Sequence, residues 1–186
     1  MRLMTPKLPH LVSERVVVRF LKPFEAPLMT CFREDNRSHL ERWEPRRNPN
    51  FFTDGFWQIN LRVALKDFRE GASACMVLLS PAEDEVMGVC NYTNIVRGTF
   101  QSCQLGYALA GKHEGQGIMY EALSMTNGYI FDELGLNRIQ AAYLPHNERS
   151  GQLLAKLGFE KEGFARRYLK INDSWEDHVL TSLINE

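Results

Sequence analysis

The densest chemical signal in the chain is Leu109-Ala110-Gly111-Lys112-His113-Glu114-Gly115-Gln116-Gly117-Ile118-Met119. An apolar, strand-like run enters a glycine-rich turn, and an amphipathic run leaves it. Glycine lets a backbone approach a ligand closely. A helix opened by such a turn presents unpaired N–H groups and about half a positive charge. Together these make an anion site suited to a pyrophosphate, and Lys112 would add a full charge. Taken alone, the same glycines also fit an ordinary turn ahead of a helix.

A second signal is Asn147-Glu148-Arg149-Ser150, followed by Leu153, Leu154, Leu157, Gly158 and Phe159. Asn147 is placed as an N-cap and Gly158 as a C-terminal stop. A capped helix end at the mouth of a sheet also points polar groups into a cleft. Ser150 stands in the first turn of that helix, where a hydroxyl can bond its own backbone. The four cysteines, Cys31, Cys75, Cys90 and Cys103, form no C-x-x-C pair and have no histidine at a zinc-ligand spacing. They read as reduced, packed thiols, with no metal expected. None of the five histidines forms a constellation with Ser or Cys. His113 reads as a surface residue, and Tyr107 and Tyr143 as core or wall aromatics.

The elements that position these residues follow from periodicity. Residues 1–10 read as a loose lead-in. Val16 to Leu21 is β-branched and strand-like. Residues 24–40 are mostly helical, with Leu28, Cys31 and Phe32 on one face. Residues 42–50 form a charged loop with two prolines. Asp54 would cap a helix that carries Ile59, Val63 and Phe68 and ends at Gly71. Ala74–Leu79, Val86–Ile95 and Phe100–Leu109 make an antiparallel meander. A long helix from Gly115 to Leu134 aligns Met119, Ala122, Leu123, Thr126 and Ile130. Then come a strand (Arg138–Leu144), a helix (Glu148–Leu157) and two strands (Phe159–Ile171, Ser174–Leu183) about the turn Asn172-Asp173. The expectation is one α/β domain over 1–186, with a mixed sheet of about seven strands and helices on both faces.

Bulk properties narrow the function classes. The chain has 186 residues, 24% of them charged, with a net charge of -1. A protein that coats nucleic acid carries excess Lys and Arg, so no direct nucleic-acid binding is expected. The N-terminal residues lack a secretion-signal pattern, and no apolar run approaches the ~18 residues that span a membrane. A cytoplasmic protein is the expectation; oligomeric state is not legible.

Lys112-x-x-Gly115-x-Gly117 resembles the acetyl-CoA motif Gln/Arg-x-x-Gly-x-Gly/Ala of the Gcn5-related N-acetyltransferases, with Lys in place of the first residue. It lies where that family carries it, between the fourth strand and the third helix. Gly115 to Ala122, Asn147-x-x-Ser150 and Leu157-Gly158-Phe159-Glu160-Lys161-Glu162-Gly163 resemble the Rim branch, which acetylates the N-terminal amines of ribosomal proteins. Trp43-Glu44-Pro45, Asn94 to Gly98 and Trp175-x-Asp177-His178 resemble its alanine-acetylating type. The match spans essentially the whole chain.

The resemblance implies direct acetyl transfer from acetyl-CoA to the N-terminal alanine of a ribosomal protein, in a ternary complex. Tyr107, Leu109, Lys112, His113, Glu114, Gly115, Gln116, Gly117, Ile118 and Asn147 would hold the acetyl donor. A backbone N–H between Leu105 and Leu109 would polarise the thioester. Ser150 would protonate the leaving thiolate. Trp43, Glu44 and Asn91 would line the peptide groove, where Glu41 and Glu44 would steer a basic substrate against the opposing charge of Arg42, Arg46 and Arg47. The stretch Phe164 to Tyr168 carries Arg where some Rim enzymes place an acid, so Glu44 and Glu162 are the candidate bases. Two other readings stay open: an acetyltransferase for a small amine, and an acyl-CoA sensor or ribosome-assembly factor without essential catalysis.

Overall fold

Residues 7–186 are described by the structure, a computed structural model. Of the lead-in expected over 1–10, residues 1–6 lie outside the described residues. The next residues contribute a strand. β1 (His10–Val12) pairs antiparallel with β2 (Val17–Arg19), with Leu11 opposite Val18. β1 raises the strand count from about seven to eight. Its three residues are too short to show an alternation in sequence.

Three helical segments follow: α1 (Ala26–Asp35), α2 (Arg37–Leu40) and α3 (Asp54–Arg69). Their buried faces differ from those expected. α1 buries Ala26, Met29, Phe32 and Arg33, while Cys31 is exposed. α3 buries Leu61 and Phe68 and leaves Ile59 61% and Val63 47% exposed. Both helices carry apolar residues on more than one side, so local pattern does not decide which stripe meets the sheet. Thr53, rather than Asp54, caps α3, its hydroxyl accepting the Phe56 N–H at 3.3 Å. Asp54 stands in the first turn, where its charge complements the helix dipole.

The meander is β3 (Ala74–Leu79), β4 (Val86–Val96) and β5 (Ser102–Leu109). Next come α4 (Ile118–Asp132), β6 (Arg138–Tyr143), α5 (Glu148–Lys156), β7 (Glu160–Ile171) and β8 (Ser174–Ile184). All eight strands join one sheet in the order β1-β2-β3-β4-β5-β6-β8-β7. Only β5 and β6 run parallel. Parallel neighbours need a crossover, and α4 supplies it. The α4 face expected from sequence is the one that is buried: Met119, Ala122, Leu123, Thr126 and Ile130.

α4 and α5 cover one face of the sheet, packing on Met76, Cys90, Leu105 and Ile139. α1 and α3 cover the other, on Val77, Val89 and Ala110. Among the described residues no helix is long and apolar enough to cross a membrane, and no group of ligating side chains converges on a metal position.

One polar contact ties α4 to the middle of the sheet. The fully buried Tyr92 of β4 donates its hydroxyl to Asn127 Oδ1 at 2.6 Å and lies 2.7 Å from Thr126 Oγ1. Tyr92→Phe leaves buried polar atoms on α4 short of a partner. It should lower the unfolding free energy by about 1–2 kcal/mol, read as a shifted urea midpoint with unchanged slope. An unchanged midpoint would show that α4 docks without this network.

Candidate active site

β5 and β6 pair from Ser102–Arg138 only as far as Leu105–Ala141. Beyond that point each strand follows a different neighbour. β5 stays paired to β4 through Leu109–Gly88, and β6 stays paired to β8 through Tyr143–Val179. A gap therefore opens in the sheet. The Ala110 N–H bonds Met87 O at 2.8 Å, which sets the phase of the β4–β5 ladder. Peptide groups alternate sides along a strand, so those of Tyr107 and Leu109 face the β6 side, into the gap.

Two tyrosines and the start of α5 wall this gap. The Tyr107 hydroxyl lies 2.6 Å from Ser150 Oγ. Burial pushes the Tyr107 pKa up to about 12, so the phenol keeps its proton near neutral pH. Asn147 Oδ1 accepts the Ser150 N–H at 3.2 Å, the N-cap expected from sequence. Tyr143 packs so closely on Gly151 that a Cβ there would meet its ring at 2.9 Å. The tyrosine wall and the α5 backbone thus fix one another. The Tyr107–Ser150 contact spans 43 residues of sequence and has no local signature.

The glycine loop enters from β5. Gly111 to His113 form a single 3-10 turn. Gly115 and Gly117 have φ of 73° and 78°, the left-handed region that only glycine adopts freely. Gly117 is the N-cap of α4 and supplies no side-chain cap. The first amides of α4 are therefore unpaired by the loop, and open space surrounds Gly115.

The charged side chains of this loop are spent on bracing it. Lys112 Nζ and His113 Nε2 each lie 2.9 Å from Glu85 Oε1. The Lys112 ammonium, a candidate charge for the anion site, is paired with Glu85 here. Glu114 pairs with Arg149 of α5 and lies 3.3 Å from His39 of α2. Asn36 Oδ1 accepts the Gly111 N–H at 3.0 Å. Arg15 donates to the Gln116 carbonyl at 2.8 Å and pairs with Glu121. Neither Arg15 nor Asn36 stood out in the sequence, because both act across long separations.

The remaining candidates lie on the α1–α3 side. Asn91 of β4 stands opposite Gly106, on the same side of its strand as the buried Val89. Gly106 leaves open space beside it. The Trp43 ring packs on His146, next to the α5 cap, with centroids 5.7 Å apart. Glu44 is held by Arg33 at 2.9 Å and Arg47 at 3.1 Å. With both oxygens engaged by guanidinium groups, it is neither a free base nor a free steering charge.

Glu162 is placed away from these residues. It sits on β7, separated from β6 by β8, roughly 9–10 Å away in strand spacings. Its carboxylate turns to Arg138 at the start of β6, the end remote from the gap. The Arg138 hydrogen bond, with Ser182 adding to it, holds that carboxyl below the usual range, which weakens it as a base.

An anion cradle, an open strand edge and a paired hydroxyl thus surround one gap. They can seat an extended phosphorylated ligand, donate to a developing oxyanion and deliver a proton. Gly117→Glu forces a side chain into the left-handed region and adds a carboxylate where the helix attracts anions. Calorimetry should show loss of coenzyme A binding with the circular dichroism spectrum retained. Unchanged affinity would move the anion site elsewhere.

Known proteins agree with this architecture. Residues 15–160 match the acetyltransferase (GNAT) domain family. The chain is 41% identical over 174 residues to the [ribosomal protein uS5]-alanine N-acetyltransferase of Escherichia coli K12, covering 94% of this chain and 90% of that protein. The crystal structure of ribosomal-protein-S5-alanine acetyltransferase from Vibrio fischeri superposes with a TM-score of 0.92 at 38% identity, covering 96% of this chain and 97% of that one. Mycobacterium smegmatis RimJ in complex with CoA-disulfide superposes with a TM-score of 0.84 at 28% identity, covering 91% and 81%. The open β5–β6 gap, the glycine-opened α4 and these likenesses across nearly the whole chain make it a member of the GNAT acetyltransferase family.

Proposed function

We propose that this chain is one acetyltransferase domain that transfers the acetyl group of acetyl-CoA to the N-terminal α-amine of a protein, the N-terminal alanine of a ribosomal protein. The observation that carries this reading is the Tyr107–Ser150 hydroxyl pair, 2.6 Å apart, beside the open edge of β5. The relatives named as ribosomal-protein alanine acetyltransferases supply the acceptor class. Such a protein would work in the cytoplasm.

Acetyl-CoA supplies a thioester carbonyl and a thiolate leaving group. The amides of His113 to Ile118 hold its pyrophosphate, and the N–H of Leu109 or Tyr107 donates to the carbonyl oxygen as negative charge grows there. Ser150 gives its proton to the departing sulfur and regains one from the Tyr107 hydroxyl 2.6 Å away, which water replenishes. Trp43 and Asn91 flank the acceptor. Direct transfer needs no cysteine nucleophile, and none is activated: the thiol pKa values of Cys31 and Cys75 are shifted up, and burial pushes those of Cys90 and Cys103 up to about 12.

The acceptor amine must be neutral to attack. Glu44 and Glu162 are both committed to arginines, so neither serves as the base. An α-amine titrates at about 7.7–8.0 and is roughly a tenth neutral at pH 7, whereas Lys titrates at about 10.4. Attack by an α-amine therefore proceeds with its proton leaving to water. With Glu44 and Glu162 both committed, an α-amine acceptor is favoured over a lysine side chain.

Three measurements test this reading. With an Ala-first peptide, kcat/KM should rise with pH and level off above about pH 8, following the substrate amine. A profile still climbing at pH 10 would point to a lysine acceptor. Ser150→Ala should lower kcat on the order of tenfold with little change in the acetyl-CoA KM, because the thiolate is already a fair leaving group. Wild-type turnover would leave Ser150 as part of the cap alone. Mass spectrometry should find acetylation of an Ala-first peptide and none of its α-blocked counterpart carrying an internal lysine. The reverse pattern would overturn the N-terminal assignment.

A further inference from the structure

A cavity of about 230 Å³ lies between α1, α2, the loop 41–52 and the β7–β8 turn. The loop that lines it also carries Trp43, which stands beside the gap. Asn172 of the turn donates to the Glu41 carbonyl at 2.6 Å. Trp43 of the same loop stacks on His146, one residue before the Asn147 cap that holds Ser150. An extended peptide following this wall away from the gap would advance ~3.4 Å per residue.

The cavity is basic and its cations are set in place. Arg33, Arg37, Arg46 and Arg47 line it, against Glu41 and Glu44, a surplus of two positive charges. Glu44 already serves Arg33 and Arg47. Arg37 has no carboxylate partner among the described residues, and its guanidinium lies 4.5 Å from the Phe52 ring centroid. Arg47 stacks on Phe51 at the same distance. Stacking fixes the guanidinium plane and leaves its edge donors open to a second ligand. Arg33 is only 6% exposed, and its Nε is the one buried side-chain polar atom among the described residues with no hydrogen bond.

We propose that this cavity is an acceptor subsite for a carboxylate, the side chain of an Asp or Glu a few residues along from the reacting amine. The proposal rests on the N-terminal acetyltransferase reading and adds a sequence requirement to it. The cavity is smaller than the roughly 300–1,000 Å³ of pockets that hold whole small-molecule ligands. A carboxylate matches the planar fork of Arg37 bidentately. A nucleic-acid backbone would need a basic stripe, whereas here Glu41 and Glu44 interrupt the arginines and the chain's net charge is -1. Most of a ribosomal protein is basic, so the subsite would distinguish acceptors by an acid near the N-terminus, where bulk charge does not.

The test is an Ala-first hexapeptide series with Glu, Gln or Lys placed in turn at each later position, assayed with wild type and Arg37→Gln. Arg37 is exposed, so the substitution leaves the core intact. With wild type, Glu at one position should give a KM about tenfold below that of Gln there, with kcat within about twofold. Arg37→Gln should erase that difference, and Arg37→Glu should shift the preference to Lys. Equal KM values for Glu, Gln and Lys in wild type would overturn the proposal while leaving α-amine acetylation standing. So would a Glu preference that survives in both Arg37→Gln and Arg47→Gln. A flat peptide scan, with a short RNA bound by wild type and lost in Arg37→Gln, would reassign the pocket to phosphate. If no peptide in the series is acetylated while coenzyme A still binds, the acceptor reading and the subsite fall together.

Discussion

β5 keeps its hydrogen bonds to β4 as far as Leu109, while its bonds to β6 stop at Leu105. Everything at the gap depends on that divided allegiance. A strand bonded on both sides has no free peptide groups, and one bonded on neither would not hold position. Here β4 fixes the edge, and the missing partner on the other side exposes it. The parallel β5–β6 pair requires a crossover, and α4 as that crossover necessarily starts at the end of β5. The same topology that opens the gap therefore delivers a helix N-terminus to its mouth.

Charge and backbone share the work around this mouth in an unexpected way. Lys112, His113, Glu114, Arg15 and Arg149 are engaged with other side chains or with the loop's own carbonyls. Exposed ion pairs of this kind contribute little to stability. Their effect is positional: they hold the loop so that its amides face outward. An anion at this mouth would meet the peptide groups and the α4 dipole, which need no ionised side chain and do not vary with pH.

The acceptor side rests on a different device. Arg33 is buried among Phe32, Phe51 and Trp57, with ring centroids 5.1–5.6 Å from its guanidinium, and is neutralised by Glu44. Burial lowers the pKa of Arg33, and Glu44 opposes that shift. Buried pairs rarely repay their desolvation fully, but breaking one leaves an uncompensated charge. Glu44 is thus committed to structure. This is why the Glu44 carboxylate is not a free base, and why the proposed α-amine acceptor, which needs little deprotonation, is compatible with the site.

The sequence by itself determined the features whose cause is local. Gly115 and Gly117 mark left-handed positions because other residues are strained there. The α4 face, the Asn147 cap and the ending of α5 near Gly158 follow from periodicity and capping chemistry within a few residues. The tertiary structure alone decided the rest. β1 is three residues whose only signature is its partner across a turn. The buried stripes of α1 and α3 were chosen by the sheet beneath them. Tyr107 meets Ser150, and Glu162 turns to Arg138, through register set by distant strand pairs. A carboxylate or hydroxyl has the same identity in sequence whether it is free or engaged. Its reactivity depends on which donor stands beside it, and long-range packing decides that.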